Sequence, residues 1–163
     1  MRTASGVELR DLAIGDAGWL IARHAETYAA EEGFDISFEA LVADVLARFI
    51  RSRDPARERA FIVWKDGRRI GSIFCVRLTD EIAKIRLFFL EPDMRGRGLG
   101  RDLLQTCMGY ARDKGYRRME LWTLESSRAA GALYLSSGFT LVTSHPTHAF
   151  GCEVVEQEWE IVL

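Results

Sequence analysis

The fold is decided in the stretch Phe88-Phe89-Leu90-Glu91-Pro92-Asp93-Met94-Arg95-Gly96-Arg97-Gly98-Leu99-Gly100-Arg101. An apolar run with strand character stops at Glu91-Pro92, three alternate glycines follow, and a helix-period run begins at the second of them. Glycine has no Cβ, so the backbone can turn tightly and come close to a ligand. Free N–H groups at a helix N-terminus attract an anion such as phosphate. Arg95, Arg97 and Arg101 add fixed positive charge around them. Strand, glycine loop and helix together read as a cradle for a pyrophosphate.

On the N-terminal side of this stretch, Ile82 to Leu90 is the third of three strand-like runs, after Phe61–Trp64 and Ile70–Leu78. Asp66-Gly67 between the first two is a strong hairpin signal, so the three form an antiparallel meander. Further back, Val7 to Leu12 alternates as a strand, and Gly15-Asp16 opens a helix that ends at Gly33. Leu20, His24 and Tyr28 share one face of that helix. Phe38, Leu41, Val42, Val45, Leu46 and Phe49 predict a second amphipathic helix, with Ser37 as its N-cap.

On the C-terminal side, Leu99, Leu103, Cys107 and Tyr110 line one face of a helix ending near Gly115. Met119 to Leu124 follows as a short strand, parallel to Ile82–Leu90 through a crossover. Ser126 and Ser127 cap a helix that runs through Leu133 and Tyr134 and closes at Gly138. Phe139–Ser144 and Val154–Val162 are expected as a final strand pair, with His145, Pro146, His148 and Gly151 in a loop between them. The order β-α-α-β-β-β-α-β-α-β-β predicts one α/β (α+β) domain over residues 1–163.

Composition narrows the function. A chain of 163 residues, 48% hydrophobic and 28% charged, suits one core of ordinary size. A formal net charge of −2 gives no basic field for nucleic acid, and no apolar stretch is long enough for a bilayer. With no apolar signal core at Met1–Gly6, the expected location is cytoplasmic. Cys75, Cys107 and Cys152 have no Cys-x-x-Cys spacing, which argues against a disulfide framework or zinc. His145 and His148 have no carboxylate cluster beside them in sequence, so no metal is expected. A dinucleotide-binding sheet would place its glycine loop after the first strand, whereas this loop follows a meander.

Arg95-Gly96-Arg97-Gly98-Leu99-Gly100 after a Leu-Glu-Pro strand stop, with Leu133-Tyr134-Leu135-Ser136-Ser137-Gly138-Phe139 later, resembles the GNAT superfamily of acyl-CoA-dependent N-acetyltransferases. More narrowly, Arg23-His24 to Tyr28 with Gly33-Phe34-Asp35 looks like the acetyltransferase half of fusions with MarR-type regulators. The resemblance implies a mixed, mostly antiparallel sheet with flanking helices. It also implies a splayed central pair of parallel strands, the pantetheine arm of acetyl-CoA lying in the gap. A β-bulge commonly produces such a splay.

By the same resemblance, Phe88, Phe89 and Leu90 pair with the arm through backbone, and the loop from Arg95 to Arg101 holds the diphosphate. Leu90 N–H is the candidate oxyanion donor, and Tyr134 the general acid toward the departing thiolate. Ser127 either contacts the pantetheine region or only caps its helix. Glu125 or Glu26 is the candidate base, with a relay through ordered water equally open. His24, Tyr28 and His148 are candidate contacts to the acceptor, a small-molecule or peptide amine. Side-to-side homodimers are common among such proteins. A non-catalytic acyl-CoA-binding regulatory module is the competing reading; retention of Tyr134 speaks for catalysis.

Overall fold

The computed structural model describes residues 1–163. Its elements are β1 (Glu8–Arg10), α1 (Asp16–Glu32), α2 (Ile36–Ser52), β2 (Arg59–Lys65), β3 (Arg68–Arg77), β4 (Ile82–Leu90), a 3₁₀ turn at Pro92–Met94, α3 (Leu99–Asp113), β5 (Arg118–Leu124), α4 (Arg128–Ser136), β6 (Thr140–Ala149) and β7 (Cys152–Val162). One seven-stranded sheet runs β1-β2-β3-β4-β5-β7-β6, antiparallel throughout except between β4 and β5. The order of elements is the one the sequence predicts, and no helix is long and apolar enough to cross a membrane.

Both faces of the sheet are covered, which is why Ile70, Ile73, Phe74 and Cys75 on β3 are all buried. α3 and α4 pack Leu103, Leu104, Met108 and Tyr134 against one face. α1 and α2 pack Leu20, Phe38, Val42 and Leu46 against the other. Burial of a leucine such as Leu46 contributes about 2 kcal/mol. Two ion pairs fix α1 on the sheet: Arg69 to the buried Asp16 at 2.7 Å, and Arg23 to Glu91 through two bonds of 2.6 and 2.7 Å. The β2–β3 hairpin turns at Asp66-Gly67 with φ of 49° and 75°, the left-handed pair a two-residue turn needs.

The feature that positions the site lies in β4. Its pairing with β5 covers only Ile82–Lys84 against Arg118–Glu120, and beyond Lys84 the two strands part. The β3–β4 register slips between Ser72 and Phe74, so Leu87 and Phe88 together oppose one residue of β3. Leu87 takes φ 46°, and the Ser72 hydroxyl donates to its carbonyl at 2.6 Å. Past this bulge β4 presses on β3: a Cβ on Gly71 would lie 2.4 Å from the Phe89 carbonyl oxygen, so only glycine fits there.

Three sequence-based expectations need correction. α2 begins at Ile36, and its cap is Asp35, whose carboxylate accepts from Ser37 N at 2.9 Å. The loop expected around His145, Pro146 and His148 is strand: β6 continues to Ala149 and turns only at Phe150-Gly151. β6 is an edge strand, where the missing N–H of Pro146 breaks no ladder. Phe150 holds φ 53° because its ring packs on Phe34 and Phe38 and its carbonyl accepts from Asp35 N. The β6–β7 tip is thereby docked on the α1–α2 turn. Finally, Ser127 precedes α4 but makes no capping bond, and Ser126 donates to Glu32 instead.

Candidate active site

The glycine loop is built as an anion cradle. Gly96 and Gly98 take φ of 74° and 81°, and Gly98 ends the loop as the N-cap of α3. The backbone N–H groups from Gly96 to Arg101 have no backbone acceptor; the first α3 bond is Asp102 N to Gly98 O. A Cβ at Gly96 or Gly98 would meet nothing within 4 Å, so the mouth of the cradle is open. At Gly100 the same atom would touch Leu133 at 3.4 Å, which lets α3 approach α4 closely. Leu99 is buried in the core, so only its N–H is offered to a ligand.

The three arginines differ in what they are free to do. Arg95 is engaged with Glu31 at 2.6 Å and with the Leu90 carbonyl at 3.2 Å, tying the loop to α1 and to the end of β4. Arg101 donates to Ser136 Oγ at 2.9 Å. Arg97 is exposed and forms no ion pair.

From the loop, the splay leads into a cavity of about 370 Å³. Because it passes between strands, residues from both faces of the sheet line it. Phe88, Ser127, Ala130 and Tyr134 come from the α3–α4 side. Phe38, Val42, Trp122 and Phe150 come from the α1–α2 side, with His24, Tyr28, Lys84, Arg86 and Glu156 among the polar lining. Glu91 N–H donates to Ile70 O on β3, so by strand alternation Leu90 N–H faces the gap. Phe89 turns the other way and stacks on His24, with ring centroids 4.8 Å apart.

Burial sets the protonation states. Tyr134 is buried, and desolvation, reinforced by nearby Tyr28, pushes its phenol well above the ordinary range, so it stays a donor. Burial raises Tyr28 in the same direction. His24 is held neutral: burial lowers it to about 4, against the opposing effect of its bond to Leu20 O at 2.7 Å. Its Nδ1 serves that carbonyl, and its Nε2 has no partner in the protein.

This state of His24 has a measurable consequence. An unfolded histidine takes up its proton near ~6.5, before the folded one does. Stability is therefore greatest above that pH and falls as pH drops toward 4, on the order of 3 kcal/mol for this group. Urea midpoints at pH 7.5 and 4.5 are expected to differ less in His24→Gln than in the wild type. Equal differences would mean that His24 is not held neutral.

Several sequence candidates lie apart from the cavity. Glu26 is 64% exposed and paired with Arg23 at 2.8 Å. Glu125 is exposed at the end of β5, with its backbone N–H on Val155 O. His148 faces solvent from β6 and pairs with Glu153 at 2.6 Å. The acidic side chain that does line the cavity is Glu156 on β7, opposite Leu124 and 3.5 Å from His145. Sequence reasoning missed Glu156, because only strand pairing brings it to the gap; Arg86 is legible as a residue of the strand bordering the gap, but nothing local gives it a role. No group of three His, Cys, Asp or Glu is arranged to hold a metal.

A splayed parallel pair beside a helix-capping glycine loop is the architecture that the resemblance to acyl-CoA-dependent acetyltransferases implies. Residues 24–139 match the model of the acetyltransferase (GNAT) family, and the chain belongs to that family. It is 31% identical over 162 residues to the mycothiol acetyltransferase of Salinispora tropica, a match covering 90% of this chain and 48% of that protein. It spans less than half the length of the first curated relatives it matches. Among solved structures it is similar to a spermidine N-acetyltransferase from Vibrio cholerae in complex with CoA and spermine, with TM-score 0.74 and 18% identity, covering 96% of this chain and 95% of that one. A GNAT family acetyltransferase from Elizabethkingia anophelis with acetyl-CoA bound gives TM-score 0.68 and 15% identity, over 96% and 98% of the two chains. These two likenesses are of fold.

Proposed function

We propose that the protein moves the acetyl group of acetyl-CoA to a primary amine by direct attack. The observation that carries this reading is one continuous path. Unpaired N–H groups at Gly96–Arg101 lead along the splayed edge of β4 to a cavity lined by Tyr134. The loop takes the diphosphate, helped by Arg97. The free backbone of Phe88 and Leu90 takes the amide-bearing arm, and Ser127 offers a hydroxyl beside it. The coenzymes in the two structural relatives lend weight to this ligand.

In the reaction the amine nitrogen forms a bond to the thioester carbonyl carbon and the carbon–sulfur bond breaks. Leu90 N–H donates to the developing oxyanion. Tyr134 donates to the departing sulfur. The amine proton goes to Glu156, directly or through water, since it is the carboxylate lining the cavity. His24, held neutral, is part of the wall of the same cavity. The narrower likeness to MarR-fused acetyltransferases rests on residues 23–35 alone.

Release of free thiol from acetyl-CoA with a panel of amines tests the reading. Glu156→Gln is expected to lower kcat/KM about 10²-fold near neutral pH. The deficit should shrink as pH approaches the amine pKa of ~10.4, where solvent itself takes the proton. A deficit that stayed constant with pH would remove Glu156 from that role.

A further inference from the structure

We propose that the acceptor is a small molecule carrying a carboxylate as well as the amine, on an apolar skeleton, and that Arg86 binds the carboxylate. This rests on the acetyltransfer reading above and adds the acceptor's chemistry to it. Fourteen of the twenty residues lining the cavity are hydrophobic, so its few charges decide what polar groups a ligand must bring. Lys84 stands in register with Glu120 and feels Glu158 as well. Glu156 has His145 at 3.5 Å.

Of the two cations in the lining, Lys84 and Arg86, only Arg86 has no carboxylate acting on it. It is half-buried and lines the cavity, and neither it nor Arg48 enters any ion pair. The charges that act on it are Arg48 and Lys84, both of its own sign, and burial together with Arg48 pulls its pKa below the ordinary guanidinium range. A desolvated cation beside like charges, with no acid in ion-pair reach, is costly within the protein. A ligand carboxylate removes that cost and matches the guanidinium fork bidentately. Phe38, Val42, Trp122 and Phe150 then enclose the apolar part between this anchor and the reacting amine.

The test is a matched panel assayed with acetyl-CoA: leucine, phenylalanine and 6-aminohexanoate against isopentylamine, phenethylamine and hexylamine, with leucinamide and phenylalaninamide as neutral analogues. The amides have the less basic nitrogens, so any bias favours them and works against the proposal. Acid-bearing members are expected to exceed their neutral partners about 30-fold in kcat/KM. Arg86→Gln should bring that ratio close to one by raising KM for the acids, with KM for acetyl-CoA unchanged. The proposal is overturned if the plain amines are acetylated as well as the acids, if Arg86→Gln keeps the preference, or if no acid is acetylated while calorimetry shows acetyl-CoA bound. Calorimetry without acetyl-CoA binding would instead bring down the acetyltransfer reading itself, and this one with it.

Discussion

Gly98→Asp is expected to abolish acetyl-CoA binding, weakening it at least about 100-fold, while leaving the protein folded. The residue is the N-cap of α3 at φ 81°, beside N–H groups without backbone partners. A side chain in the left-handed region costs about 1 kcal/mol. An aspartate carboxylate at a helix N-terminus recovers roughly 0.3–1 kcal/mol of that. The new Cβ meets nothing within 4 Å, so no packing is lost. The thermal midpoint should thus move little.

Binding responds differently. The new carboxylate occupies the field meant for phosphate and repels what arrives, so two opposed effects on stability leave one large effect on affinity. Gly98→Ala separates strain from charge: it should lower stability somewhat and weaken binding far less. Isothermal calorimetry with acetyl-CoA, read beside thermal melts, measures both. An aspartate variant that bound with wild-type affinity would place the diphosphate elsewhere.

The parts of this machinery readable in the sequence are those whose signals are local. Asp66-Gly67 fixes a turn through two left-handed residues, and the glycine loop after Glu91-Pro92 announces a helix start. Signals carried by a distant partner were not readable. The bulge at Leu87 has no glycine at its positive φ; its mark is Gly71 on the neighbouring strand, where the Phe89 carbonyl comes close. The second half of β6, from His145 to Ala149, hid behind Pro146, which reads as a strand breaker until the strand is known to be an edge. Glu156 and Arg86 reach one cavity only because β4 and β7 flank β5. Composition and periodicity say nothing of that adjacency. The residues chosen from sequence as bases are off the cavity wall: Glu26 is on α1, and Glu125 is in the turn just past the end of β5.

Tyr134→Phe is expected to lower kcat about 10²-fold with KM for acetyl-CoA nearly unchanged. The ring packs between Phe139 and Trp159, with centroids 5.8 and 6.1 Å away, and phenylalanine keeps those contacts. What disappears is one hydroxyl in the cavity, so the loss falls on the step in which sulfur departs. Burial holds this phenol protonated well beyond the ordinary ~10. It is therefore a weaker acid than the thiol it assists, for which a cysteine-like ~8.5 is the guide. Its help is a hydrogen bond to the developing thiolate rather than outright delivery of a proton. The pH profile follows with a definite sign. Wild-type kcat should climb as the amine loses its proton, with no alkaline decline below about pH 10, because Tyr134 does not ionise there. The variant should climb in parallel at a lower level. A decline near pH 9 that vanished in Tyr134→Phe would mean that the phenol ionises during turnover, and a variant with full kcat would deny it any part in the departure of sulfur.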